Sequence, residues 1–235
     1  MKATFVVSLL ALSALIPAIG HAQGTFQNLD FEDAVIILDT SSPYYPRAVY
    51  ASYAILGWTA TGFVGPQDIY YNSLTIGSPC VSIDDTTGSF HAPPIDGTYS
   101  IVLYGGSGSA SISQTGLVPA DAASIRFIAQ VAAPPPFGGP LLVSLGGQNI
   151  LYSAISTGPN YTVYGGNIPS GLAGQSEQLM FSALTGVNNI WTIDDIQFSP
   201  SAVPEPSTLG LLALGALAIA WRSRNNPVCD LRLYP

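Results

Sequence analysis

Apolar and polar positions alternate with a period of two along most of this chain, in short runs separated by Gly, Pro and Asn. Leu29 and Phe31 fall on one side of residues 26–32, with Asn28, Asp30 and Glu32 on the other, which predicts a first strand. Residues 35–38 continue it or begin a second. Leu56-Gly57-Trp58-Thr59 reads as a strand holding a core Trp, and residues 69–71, 74–76 and 81–83 as further short strands. Asp96-Gly97 is a turn signal ahead of a strand at 99–104, and residues 109–114 alternate small side chains with Ile112. The strongest pattern is 124–131, with Ile125, Phe127 and Val131 on one face, ended by Pro134-Pro135-Pro136. Strands at 141–145, 149–154, 161–164 and 178–183 follow, and 189–198 closes the series with Trp191 expected in the core. No helix-period segment of useful length lies between the chain's two ends. The pattern predicts an all-β jelly-roll β-sandwich over residues 23–199, with its first and last strands side by side.

Both ends break the alternation. Met1-Lys2, an apolar stretch at 3–19 and the small residues Gly20 and Ala22 predict a secretory signal peptide, residues 1–22, cleaved after Ala22. Residues 200–208 are a Pro-rich linker of extended, non-helical chain. An uncharged apolar run at 209–221 ends in Trp221 and is followed by Arg222 and Arg224. Residues 208–221 as a helix span roughly 21 Å, short against a hydrocarbon core of about 30 Å. The interfacial Trp and the following arginines still favour a membrane segment over 209–224, weakly hydrophobic and suited to transient anchoring.

Composition sharpens this picture. Charged residues make up 9% of the 235 residues, against about 25% in ordinary soluble domains. Between Gln23 and Val203 twelve acids face only Arg47 and Arg126, with no Lys. Such a domain repels phosphate backbones, which excludes nucleic acid as a partner and leaves divalent cations or neutral polymers. Cys80 and Cys229 fall on opposite sides of the apolar run, so no disulfide joins them and Cys80 reads as a small buried residue.

Pro204-Glu205-Pro206-Ser207-Thr208, the Leu/Ala/Gly run and the Arg-rich end resemble the PEP-CTERM sorting signal of Gram-negative bacteria. That resemblance implies export and processing by an exosortase-type membrane peptidase. In it, Pro204, Glu205 and Pro206 are the recognition motif, and Arg222 and Arg224 the cytoplasmic stop. Residues 225–235 extend past the point where such signals usually end. More loosely, Asn28-Leu29-Asp30-Phe31-Glu32, Gly57-Trp58, Asp96-Gly97-Thr98-Tyr99-Ser100, Ile112-Ser113-Gln114 and Ile193-Asp194-Asp195-Ile196 resemble, in order, galactose-binding-like jelly rolls of carbohydrate-binding modules. This resemblance implies a structural Ca²⁺ tying the first and last strands, with Glu32 and one of Asp194 or Asp195 at the matching positions. Separately, the apolar parity switches at Asp194-Asp195, which predicts a bulge beside Asp30 and Glu32. Carboxylates there supply hard oxygen ligands; solvated acids on an outward face are the alternative.

Sugar binding calls for aromatic platforms on a concave face or loop. Tyr44, Tyr45, Tyr50, Tyr53, Tyr70 and Tyr71 are the candidates, the alternative being packing at strand edges. No Gly-x-Ser-x-Gly elbow, zinc helix or phosphate loop is present, and no catalytic residue stands out. The reading is a non-catalytic exported domain at the cell surface or in the extracellular matrix, contacting exopolysaccharide. A structural matrix protein without a ligand is the alternative, and a hydrolase acting through an acid pair a third.

Overall fold

A computed structural model describes residues 25–88, 94–131 and 138–204. The expected signal peptide and the apolar run at 209–221 lie outside the described residues. The chain order is β1 (Ala48–Tyr50), α1 (Ala51–Ala54), β2 (Thr59–Thr61), β3 (Asp68–Tyr71), β4 (Cys80–Asp84), β5 (Ser100–Gly106), β6 (Ala110–Leu117) and β7 (Ser124–Val131). It continues with β8 (Leu141–Leu145), β9 (Gln148–Asn149), β10 (Tyr152–Thr157), β11 (Thr162–Asn167), β12 (Ser176–Ala183) and β13 (Gly186–Ser199). An eight-stranded sheet runs β1-β3-β4-β5-β13-β7-β11-β10, and a five-stranded sheet β2-β6-β12-β8-β9. Strands β5 to β8 pass alternately from one sheet to the other, as do β12 and β13, the connection pattern of a jelly roll.

The period-two pattern explains the core. Ile101, Leu103, Ile125, Phe127, Ala129 and Ile193 point inward from the large sheet; Ile112, Val143, Leu145, Leu179 and Phe181 meet them from the small one. Phe127 and Phe181 cross the interface edge to face, with ring centroids 5.2 Å apart. Trp58 and Trp191 are both buried in this core. The opposite parity of β3, β4 and β5 forms a second, smaller cluster of Tyr70, Leu74, Cys80, Val102 and Tyr104 on the outer face. Cys80 is fully buried there, and burial pushes its thiol up to about 11.

Three expectations fail at the N-terminal side. Residues 55–57 form a turn with Gly57 at φ 83°, so Trp58 precedes β2, which begins at Thr59, instead of lying within a strand. Residues 26–32 are not a strand: Asn28 (φ 48°) and Phe31 (φ 59°) adopt left-handed backbone, and side chains close the turns. Asn28 Oδ1 accepts from the Asp33 amide at 3.0 Å. Residues 74–76 form a loop rather than a strand. The ends of the domain nevertheless meet as expected. The Ile196 amide donates to the Leu29 carbonyl at 3.0 Å, and the rings of Phe26 and Phe198 lie 5.0 Å apart.

Candidate functional site

The junction of the two chain ends holds the expected calcium residues. Glu32 is exposed, and its Oε1 accepts from the amides of Thr98 at 2.8 Å and Tyr99 at 3.0 Å. Asp194 is 1% exposed and accepts from Ser100 Oγ at 2.6 Å and the Asp195 amide at 2.8 Å. Burial, and then the charges of Asp96 and Glu32, push its carboxyl up to about 8. Strand β13 bulges between Asp194 and Gln197, where the parity switch predicts it, and Asp195 sits there with φ 43°. Its two carboxylate oxygens accept from Gln197 Nε2 at 2.7 and 2.8 Å. The structure thus brings Glu32 and Asp194 to one junction but turns the carboxylates onto protein donors. Among the described residues, no three metal-ligating side chains converge. As arranged here, Glu32, Asp194 and Asp195 do not fit a calcium ligand set.

The six candidate tyrosines do not form one platform. Tyr50 donates to Asp39 Oδ1 at 3.0 Å, and its ring lies edge-on to that of the exposed Tyr53. Tyr70 is buried, its hydroxyl 2.6 Å from Thr75 Oγ1 and its ring edge-on to the half-buried Tyr44. Tyr71, the next residue on β3, points to the other face and donates to Asp85 Oδ2 at 2.6 Å. Tyr45 is exposed, ahead of a cis peptide bond to Pro46. Consecutive strand residues cannot present both rings to one ligand, and Tyr70 and Tyr71 already have protein partners.

A cleft of about 320 Å³ lies instead at the end of β7 beside the β10–β11 hairpin. The hairpin turns through Gly158-Pro159-Asn160, with the Gly158 amide donating to the Tyr161 carbonyl at 2.8 Å. Gly158 makes room for the Tyr161 ring: a Cβ there would lie 2.5 Å from it. Tyr164 forms an inner wall, stacked on Phe127 at 5.6 Å and edge-on to Trp191 at 6.0 Å. Gln130, Thr157, Asn160 and Thr162 supply the polar lining, and among the described residues no carboxyl, imidazole or thiol lines the cleft. Gln130 Oε1 is buried and has no hydrogen-bond partner among the described residues. The alternation of apolar and polar positions does not point to this cleft. Its one signal was Tyr161 and Thr162 directly after a Gly-Pro-Asn turn.

Pro204 is exposed and is the last described residue. Glu205, Pro206, Arg222 and Arg224 lie outside the described residues.

The folded body is similar to several solved structures. A cyclase from Fischerella sp. TAU shares 14% identity at a TM-score of 0.42, covering 77% of this chain and 98% of that one. The enzymatically active domain of bacteriophage CBA120 tailspike protein 4 shares 15% at 0.35, covering 62% and 19%. The carbohydrate-binding module TmCBM61, solved with β-1,4-galactotriose, shares 15% at 0.33, covering 76% and 99%. No curated protein matches the chain. The C-terminal segment is a different matter: residues 202–225 match the PEP-CTERM protein-sorting motif. The chain therefore carries the sorting signal of an exported protein, one that implies exosortase processing and a surface or extracellular location.

Proposed function

We propose that this protein is a non-catalytic module of the cell surface or extracellular matrix that contacts a neutral exopolysaccharide through the cleft beside β7. The observation that carries the reading is Gln130 Oε1. A carbonyl left without a donor costs about 1–3 kcal/mol, and a turn of the Gln130 side chain, which lines the cleft, would offer this oxygen to a sugar hydroxyl. Tyr161 offers an apolar ring face, and the hydroxyls and amides of Thr157, Asn160 and Thr162 match a polyol. The described lining is of uncharged side chains, which suits binding more than hydrolysis by a carboxylate pair. The acidic domain disfavours polyanionic glycans by long-range repulsion. In this reading the run at 209–221 holds the precursor in the membrane until the Pro204-Glu205-Pro206 motif is processed.

The test is an array of neutral and acidic polysaccharides probed with the processed protein. The expected result is retention on neutral glycans, weakened about tenfold or more by Tyr161→Ala and by Gln130→Ala. Absence of binding to every glycan would leave a structural matrix role instead.

A further inference from the structure

The chain does not leave the domain at the end of β13. The Ala123 amide donates to the Ser199 carbonyl at 2.8 Å, and Ser124 Oγ donates to the Ser201 carbonyl at 2.7 Å. Two residues on, Asn167 takes both backbone groups of Val203. The Val203 amide donates to Asn167 Oδ1 at 2.7 Å, and Asn167 Nδ2 donates to the Val203 carbonyl at 3.2 Å. A side-chain amide here does what a neighbouring strand would do. The Val203 side chain is 7% exposed and lies over Gly165, where a Cβ would come within 2.9 Å of Val203 Cγ2. The same Cβ would come within 2.4 Å of Ile155 Cδ1, so Gly165 leaves a gap that Val203 and Ile155 share.

The next residue is Pro204. Five residues, 204–208, separate this docked Val203 from the apolar run, about 17 Å of fully extended chain. A peptidase that binds an extended backbone needs chain on both sides of the motif. With Val203 docked, the N-terminal side has no slack.

We propose that Asn167 and Gly165 form a docking site for the sorting linker, and that Val203 must undock before the sorting peptidase can take up Pro204-Glu205-Pro206. The inference rests on the sorting signal at residues 202–225 and is independent of the glycan reading. Folding of the domain then slows its own processing, and the processed protein retains a terminus held flush against the sandwich.

The test is a pulse–chase of the full chain in a host that carries the peptidase, following conversion of precursor to processed form. Asn167→Ala removes both hydrogen bonds and is expected to speed conversion about tenfold. Val203→Ser, which leaves the domain's own residues intact, is expected to act in the same direction. Inserting Gly-Ser-Gly-Ser between Val203 and Pro204 keeps the dock but frees the motif, so it should speed conversion as well. Adding Asn167→Ala to the insertion should then change nothing. Further acceleration in that background would show that Asn167→Ala acts by unfolding the domain and would overturn the proposal. Equal or slower conversion in Asn167→Ala and Val203→Ser, with the Val203 amide newly open to hydrogen exchange, would overturn it too. A wild-type precursor that is never processed would sink the sorting reading and this proposal with it.

Discussion

Gly97 shows how much one residue decides at the junction of the chain ends. Its φ of 55° disfavours any side chain, and a Cβ there would fall 2.2 Å from Glu32 Oε1. Gly97→Ala is expected to cost about 2 kcal/mol, through left-handed strain and the displaced Glu32 bonds to Thr98 and Tyr99. A urea titration reads this as a lowered midpoint at unchanged slope. Asp194 makes stability depend on pH. Burial pushes its carboxyl up to about 8 in the folded state, from an ordinary carboxylate value of 3.8. The folded protein therefore holds a proton that the unfolded chain releases between these limits. The stability linked to that proton is complete below about pH 4 and is lost as pH rises through 8, with a slope of up to about 1.4 kcal/mol per pH unit. Asp194→Asn should flatten this fall in thermal melts recorded across the window; an unchanged profile would contradict the assignment. Cys80, buried with its thiol raised to about 11, should resist iodoacetamide in the folded protein and react once urea unfolds it.

Individual elements show which parts of the fold were legible. Strand β7 spans the expected residues 124–131 and β8 the expected 141–145, because both carry inward apolar positions bounded by turn residues. The bulge in β13 was legible for the same reason, since a switch in parity needs an extra residue. The segment at 26–32 misled because Leu29 and Phe31 alternate as they would in a strand. The left-handed turns at Asn28 and Phe31 are held by contacts remote in sequence: the Trp58 indole donates to the Asn28 carbonyl at 3.0 Å, and Ile196 bonds to Leu29. No local pattern announces such partners. The surroundings of Tyr70 and Tyr71 were hidden on the same ground, since partners at Thr75 and Asp85 become visible only once β3 and β4 are paired. The cleft depends on the hairpin meeting β7, a contact between residues about thirty positions apart, and the pattern of 161–164 gives only the strand. Phe181 on β12 joins the two sheets through Phe127 on β7 and also packs edge-on against Trp58, just ahead of β2. Phe181→Ala is expected to destabilise the domain by about 3–5 kcal/mol in the same urea experiment.

At the scale of the whole molecule, hydrogen bonds close the sandwich where its N-terminal and C-terminal segments meet. Because the carboxylates of Glu32, Asp194 and Asp195 are turned to protein donors, adding Ca²⁺ or a chelator should leave the melting temperature unchanged. A rise with Ca²⁺ that Glu32→Ala abolishes would show that these carboxylates rearrange around the ion. The surface charge and the neutral cleft point to the same kind of partner. Glycan binding through uncharged groups should change little between low and high salt, whereas contact with a polyanion would depend steeply on it. The glycan contact itself is tested most directly by recording side-chain amide resonances of the processed protein while a neutral oligosaccharide that it retains is titrated in. The expected result is a shift of the Gln130 side-chain amide together with residues 157–162. Shifts confined to other surfaces, with Gln130 unmoved, would contradict the proposed site.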